Sequence, residues 1–180
     1  YFQGYSMILK ERVRKAKKNM SPSPIMKIYK FPEPVLREQA EPVENIDEEI
    51  QKLIDAMGET MYAAPGIGLA ANQVGEPIQL LVYDVGPKDK GRNLCVLINP
   101  EIVAAEGEII HDEACLSVID FSAEVKRHAM VKVRGFDRQG KPVDLEAEGL
   151  MAICLQHEID HLNGKLFIDH ISSLKRALYK

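Results

Sequence analysis

The sequence has no tryptophan, and its 180 residues include only three cysteines. An odd, small number of cysteines does not build a disulfide framework, so we expect free thiols or metal ligands in a reducing compartment. No apolar run approaches the roughly 20 residues of a membrane span, and the formal charge of -4 disfavours general affinity for nucleic acid. With 46% hydrophobic residues the chain can bury one core. A soluble protein with no membrane partner is predicted.

The first 25 residues differ in composition from the rest. Tyr1 to Gly4 reads YFQG, which resembles the remnant of a protease-cleavage linker. The stretch ILKERVRKAKKN beyond it is strongly basic and leads into SPSP. This composition favours a solvated, flexible leader, and a basic arm or part of a targeting peptide is the alternative. We therefore predict a leader over residues 1–25 and one folded domain over residues 26–180.

Hydrophobic periodicity predicts a helix after Asn45, which forms a capping signature with Glu48, and Pro65 and Gly66 are expected to end it. The apolar runs IQLLVYDV and LCVLINPEIV predict strands, and MVKVRGFD followed by KPVDLEA predicts a hairpin. A late apolar helix contains the string HEIDH. Together these elements predict an α+β fold, with antiparallel sheets packed around that central helix and a further helix at the C-terminus.

The HEIDH string at residues 157–161 predicts a metal site. In a helix, His157 and His161 lie four positions and about 6 Å apart on one face, so two imidazoles can share a metal. Glu158 is then placed to move a proton, as the glutamate of metal-dependent hydrolases does. Apolar neighbours indicate a buried helix, where unpartnered polar groups would cost several kcal/mol. The alternative is a chance arrangement on a solvated helix face.

A catalytic metal generally takes three protein ligands, and HEIDH supplies only two. Cys154 precedes His157 by about 4.5 Å along the helix and is expected to lie in the core. Cys95 lies in an apolar run and is expected to be a small buried hydrophobe. The spacing leaves Cys115, at the boundary of a predicted strand, as a candidate beside several acids and three histidines, His111, His128 and His170.

The string GIGLAANQVG at residues 66–75 is the other unusual segment. Its glycines permit close approach of the backbone to a ligand or another strand. It lacks the spacing of a phosphate-binding loop, so a nucleotide site is not expected. Gln73 is a candidate amide donor there, and an ordinary structural glutamine is the alternative.

Taken in order, GIGLAANQ, EACLS and QHEIDHLNG resemble the three signature motifs of peptide deformylases, and the likeness extends over roughly residues 26 to 176. Members of that family are metalloenzymes that remove the formyl group from nascent peptides, and this chain resembles their bacterial type-1 branch. The resemblance implies that Cys115, His157 and His161 bind one divalent metal. Iron(II) is the expected physiological ion, and zinc, nickel or cobalt can occupy the same site.

The resemblance also implies roles for the remaining residues of the site. Glu158 is the expected general base, and the Gln73 side-chain amide and the Leu116 backbone N–H are expected to stabilise the oxyanion. The implied substrate-binding residues are Ile67, Gly68, Glu113, Ile153 and Cys154. The implied substrates are N-formyl-Met nascent peptides, which the enzyme meets as a monomer in the bacterial cytoplasm, with transient ribosome contact. An organellar location is the alternative.

Two segments depart from the family pattern. Ala114 stands where the family usually has glycine, and VIDFSAEV lacks the proline and basic residue of many relatives. The alanine costs little if its φ is negative, and about 1 kcal/mol or more if φ must be positive. These departures make a noncatalytic peptide-binding relative one alternative function, and the HExxH string makes a zinc endopeptidase another.

Overall fold

Residues 23–177, the part of the chain that the computed structural model describes, form two antiparallel sheets around a buried helix. The linker remnant and nearly all of the basic leader lie outside the described residues. The α+β fold predicted from the sequence is confirmed. The seven strands, in chain order, are β1 (Gly68–Ala70), β2 (Leu80–Tyr83), β3 (Cys95–Glu106), β4 (Ile109–Cys115), β5 (Val118–Arg127), β6 (Met130–Phe136) and β7 (Pro142–Glu148).

The larger sheet has the strand order β1-β2-β3-β6-β7. The two predicted apolar runs form β2 and β3, and the predicted hairpin forms β6 and β7, which pair from Met130↔Glu148 to Phe136↔Pro142. Gly140, with φ of 77°, supplies the left-handed residue in the hairpin turn. β1 is the first strand of this order and, within residues 23–177, pairs with β2 alone, so its other edge is open there.

The smaller sheet is the hairpin of β4 and β5, of which the sequence indicated only a strand boundary near Cys115. Along β5, Ala123, Val125 and Arg127 are buried and alternate with exposed residues. The sheet therefore turns one face to the interior, and an arginine occupies one of its inward positions. In the described part of the chain β4 pairs with β5 alone, which leaves the second edge of β4 open as well.

The first long helix, α1 (Glu48–Ala63), has one buried stripe that includes Ile54, Met57 and Met61. It ends before Pro65 and Gly66, as predicted. The predicted capping pair of Asn45 and Glu48 is wrong, because the Asp47 side chain accepts from the amides of Glu49 and Ile50. A carboxylate two or three positions before an open amide meets the geometry of an N-cap directly.

The second long helix, α2 (Gly149–Leu162), carries HEIDH and packs against β1, β2 and β7. Nearly all of its residues after the first turn are buried, which agrees with the central helix that was predicted. A short helix, α3 (Ser173–Ala177), follows near the C-terminal end. Within residues 23–177, no helix combines the length and apolar character needed to cross a membrane.

Candidate metal centre

Three side chains from two distant parts of the sequence converge on one point. One turn of α2 presents His157 and His161, and the last residue of β4 presents Cys115; their ligand atoms all lie within 4.8 Å of one another. His161 Nε2 is 3.2 Å from both Cys115 Sγ and His157 Nε2. Ligand atoms around a tetrahedral metal stand about 3.3 to 3.6 Å apart. The three residues therefore fit a metal, and His111, His128 and His170 are not part of this group.

Neighbouring side chains orient the His157 ring and lower the pKa of the Cys115 thiol. His157 Nδ1 is 2.8 Å from Glu113 Oε2, which holds the ring with Nε2 directed at the other two ligand atoms. Burial by itself would raise the pKa of the Cys115 thiol, but the adjacent His161 and His157 rings hold that pKa well below its ordinary value. The thiolate is the form that binds metal.

Glu158 lies beside this group, and its side chain is only partly satisfied. The residue is 5% exposed, and its Oε2 has no hydrogen-bond partner among the described residues. Burial raises the pKa of the carboxyl group. A Cβ on Gly68 would stand 2.4 Å from Glu158 Oε1, so glycine is required for β1 to pass this carboxylate. An orphaned buried oxygen of this kind is suited to receive a proton from a bound reactant.

Gln73 is held with its amide nitrogen toward Cys115. It belongs to a 3-10 helix, Ala71–Val74, and is 2% exposed. Its Oε1 accepts from the Ala70 amide at 2.9 Å, so Nε2 points the other way, 3.1 Å from Ser117 Oγ and 3.7 Å from Cys115 Sγ. Leu116 follows Cys115 directly after β4. Both expected oxyanion donors are therefore next to Cys115.

A cavity of about 300 Å³ runs between the open edges of β1 and β4 and reaches these residues. It can admit an extended chain, because strand edges offer unpaired backbone groups. All five residues predicted to bind substrate line it, together with Gln73, Leu116, His157 and Glu158. Cys154, expected in the core, is buried and also faces this cavity.

Glu113 is part of a buried ion network that the sequence did not reveal. Its two oxygens accept from Arg127 Nε at 2.6 Å and from Arg127 Nη2 at 3.0 Å. Arg127 Nη1 reaches Asp160 at 2.5 Å, and His170 Nε2 lies 2.7 Å from the same carboxylate. Burial opposes ionisation of Glu113, but His157 and Arg127 outweigh it and lower the pKa to about 2. The sign of this network in the sequence is Arg127 itself, because a cation at an inward strand position needs charged partners.

Ala114 adopts ordinary strand backbone. It is not among the residues with positive φ, and its neighbour Glu113 pairs regularly with Ala123 across the hairpin. The left-handed conformation that would have required glycine is not used, so the methyl group carries no backbone strain.

An HExxH helix, a thiolate from a neighbouring strand and a cleft between two open strand edges define a metal-dependent hydrolase that acts on an extended chain. The sequence pattern of one family, described as polypeptide deformylase, matches residues 25–177. The chain belongs to this family.

Relatives in the family are close in sequence. A peptide deformylase from Syntrophobacter fumaroxidans is 55% identical over 156 residues, which are 87% of this chain and 92% of the relative. One from Thermodesulfovibrio yellowstonii is 53% identical over 156 residues, 87% of this chain and 94% of the relative.

Solved structures of peptide deformylases are also similar to this chain. A peptide deformylase from Legionella pneumophila gives a TM-score of 0.83 at 47% identity, covering 87% of this chain and 91% of that one. A peptide deformylase from Synechococcus elongatus, solved in complex with actinonin, gives a TM-score of 0.82 at 40% identity, covering 89% of this chain and 88% of that one. The chain is thus an enzyme, a metal-dependent hydrolase that removes N-formyl groups from nascent peptides. This assignment decides against the endopeptidase and the noncatalytic relative.

Proposed function

We propose that Cys115, His157 and His161 hold one divalent metal, that the physiological ion is iron(II), and that zinc, nickel and cobalt bind the same residues. The donor set, one thiolate and two imidazoles, suits each of these ions. The observation that carries the proposal is the unpartnered Glu158 oxygen buried beside the three ligand atoms. Within the described residues this oxygen has no hydrogen-bond partner, so it is available to accept a proton from a bound reactant.

The chain's own side chains supply the proton transfer and the charge stabilisation. A divalent metal held there would contribute Lewis-acid activation of water and of the formyl oxygen. Glu158 accepts the proton of the attacking water and returns it to the leaving amine, and its raised pKa suits both tasks. Gln73 Nε2 and the Leu116 N–H donate to the oxygen that gains negative charge.

The peptide is positioned by the open edge of β1. The Ile67 carbonyl already accepts from the Asp84 amide at 2.9 Å, so strand alternation directs the Gly68 N–H and C=O toward the cleft. Leu69 and Ala70 are fully buried, and the peptide therefore extends from Gly68 toward Ile67. Backbone pairing of this kind binds with little sequence dependence.

The methionine side chain enters the apolar part of the cavity. Ile153 and Cys154 are 4% and 3% exposed and line its wall. The Glu113 carboxylate lies beside them, but it is engaged by His157 and Arg127, so it shapes this wall without offering a free charge.

The enzyme is proposed to act as a monomer in the bacterial cytoplasm, with residues 26–180 as its one catalytic domain. Its substrates emerge from the ribosome, and transient ribosome contact is proposed through the exposed helix α3, where Lys175 and Arg176 lie in the last turn. Cations on such a surface attract the phosphate backbone of RNA without sequence specificity.

Anaerobically prepared iron, nickel and zinc proteins test the proposed function. Each is given a formyl-Met peptide, an acetyl-Met peptide and an unblocked protein. Formate release from the first substrate alone is expected, with the iron protein active. Metal-replete protein that releases no formate would overturn the proposal, and iron protein less active than zinc protein would overturn the metal assignment.

The ligand assignment is tested by metal content. Cys115→Ala should lose metal, because only two ligands remain. Cys95→Ala is the matched control, since its thiol lies on β3 outside the ligand group and should leave the metal content unchanged. Equal metal content in the two variants would show that Cys115 is not a ligand.

A further inference from the structure

A short segment near the start of the described chain, residues 29–31, is hydrogen-bonded to both sides of the proposed oxyanion site. The Tyr29 amide donates to the Gln73 carbonyl at 2.7 Å, and the Phe31 amide donates to the Ser117 carbonyl at 2.8 Å. Between them, Lys30 Nζ donates to the Leu116 carbonyl. The segment thus bridges the 3-10 helix that carries Gln73 and the turn that follows Cys115.

The Lys30 ammonium is partly buried and is directed at a neutral carbonyl. In the part of the chain that the structure describes, Lys30 is in none of the ion pairs, which involve other lysines, arginines and histidines. A hydrogen bond from an ionised donor is roughly twice as strong as a neutral one. The Lys30 ammonium therefore holds the Leu116–Ser117 peptide more firmly than a neutral backbone N–H donor would.

The same peptide unit contacts the proposed metal ligand. Its carbonyl belongs to Leu116 and its amide to Ser117, and the Ser117 N–H donates to Cys115 Sγ at 3.4 Å. A cation on the carbonyl oxygen draws electron density through the amide, and hydrogen bonds in series strengthen one another. The Ser117 N–H thereby becomes a stronger donor to the sulfur.

We infer that Lys30 is a positioning residue that fixes the Leu116–Ser117 peptide, so that the Ser117 N–H donates to the Cys115 thiolate and the neighbouring Leu116 N–H is held in place for its proposed role. The inference rests on the proposed role of Cys115 as a metal ligand. Outer partners of this kind orient a ligand and tune its donation, and their loss typically costs 10- to 100-fold in metal affinity or activity.

The test uses Lys30→Met, which removes the cation and keeps the side-chain length, and Lys30→Arg, which keeps the cation. Lys27→Met is the matched control, because Lys27 Nζ lies 4.3 Å from the centre of the Tyr29 ring and contacts that ring instead of the turn. Each protein is loaded with cobalt(II). The thiolate-to-cobalt charge-transfer band, the cobalt affinity by chelator competition, and kcat and KM are then measured.

Lys30→Met should move the charge-transfer band to longer wavelength, because a thiolate with a weaker hydrogen bond gives up electron density more easily. Cobalt affinity or kcat should fall about 10-fold, with KM little changed. Lys30→Arg should restore the band, and Lys27→Met should match the unsubstituted protein. If Lys30→Met does not fold, Lys30→Gln replaces it, with a smaller shift in the same direction expected.

A Lys30→Met band and affinity equal to those of Lys27→Met would overturn the inference, as would failure of Lys30→Arg to restore the band. The proposed function fails in a different way. If the unsubstituted cobalt protein has no thiolate band, or keeps it in Cys115→Ala, then Cys115 is not the ligand. The two failures are therefore distinguishable.

Discussion

The two long helices of this fold both bury apolar side chains, but they differ in the ionisable side chains that they bury. α1 turns an apolar stripe with Met57 and Met61 to the core and leaves its polar face in solvent. α2 is enclosed on nearly all sides and buries Gln156, Glu158 and His161 among its apolar residues. α1 follows the rule of an amphipathic helix, and α2 breaks it at the positions that carry the chemistry.

The buried polar groups of α2 serve different purposes, as their hydrogen bonds show. Gln156 is fully hydrogen-bonded: its Oε1 accepts from the His128 amide at 3.0 Å, and its Nε2 donates to the His128 and Ala152 carbonyls, each at 2.9 Å. Glu158, two residues later, keeps one oxygen without a partner in the described structure. A satisfied buried group contributes to stability, whereas an unsatisfied one costs stability. Changes in α1 should therefore affect folding, and a change at Glu158 should affect turnover.

The largest effect is expected from Glu158→Gln. Loss of a positioned general base should reduce kcat by about 10³-fold, while metal content stays unchanged because the ligands remain. Burial raises the pKa of Glu158, so a neutral isostere should leave the free energy of unfolding of the metal-free protein unchanged or higher. Kinetics, metal analysis and denaturant titration check these points. Glu59→Gln on α1 is the control, and Glu158→Gln turnover within 10-fold of that control would contradict the assigned role.

The next effect concerns an ion pair on each helix. Arg127 reaches Asp160 of α2 and is 4% exposed, whereas Arg138 reaches Asp55 of α1 and is 34% exposed. Removing one partner of a buried pair costs about 3 to 5 kcal/mol, and an exposed pair contributes about 0 to 1 kcal/mol. Arg127→Met should therefore destabilise far more than Arg138→Met in urea titrations. Similar losses in both variants would refute the distinction.

The pH dependence of the buried network has a definite sign. The pKa of Glu113 is about 2 in the folded chain, against an ordinary value of 4.5. A depressed carboxyl pKa contributes stability that is complete above the unfolded pKa and is lost as the pH falls toward the folded pKa. The stability difference between the metal-free protein and its Glu113→Gln variant should therefore shrink from about pH 5 downward. A difference that stays constant over this range would contradict the contribution of Glu113.

A core substitution on α1 should come next. Met57 is fully buried, and Met57→Ala should cost about 3 kcal/mol, through lost burial and a residual cavity. The folded fraction should keep the kcat of the unsubstituted protein, because Met57 does not line the catalytic cavity. Lys52→Ala on the exposed face, where Lys52 pairs with Glu48 at 2.8 Å, should change stability by less than about 0.5 kcal/mol. A large fall in kcat of Met57→Ala would contradict the assignment of α1 to stability and of α2 to catalysis.

The sequence predicted most of what depends on local pattern or on a continuous motif. Periodicity predicted both long helices, and apolar runs predicted β2, β3 and the β6–β7 hairpin. One helical turn predicted two of the proposed metal ligands. The third proposed ligand needed more than spacing, since Cys115 comes from β4, 42 residues before His157 in the sequence. Family resemblance supplied it, and the structure brings its sulfur to the two rings.

What the sequence did not predict depends on long-range pairing. Arg127 meets Glu113 across a hairpin and Asp160 on a different element, and Lys30 meets Leu116 at a separation of 86 residues. Such contacts leave no period in the sequence. Arg127 at an inward strand position was the only local sign, because a buried cation requires partners.

The smallest effect is expected at the start of α1, where the sequence predicted a cap at Asn45 and the structure has Asp47 as the cap. Asp47 accepts from the Glu49 and Ile50 amides, each at 3.0 Å, and it is an anion at the positive end of the helix dipole. Asp47→Ala should therefore cost about 1 kcal/mol, while Asn45→Ala should leave the free energy of unfolding nearly unchanged. Because neither residue lines the catalytic cavity, kcat should be the same in both variants. Equal destabilisation by the two substitutions in urea titrations would mean that α1 is capped at both positions. A change in kcat would mean that α1 contributes to the catalytic site.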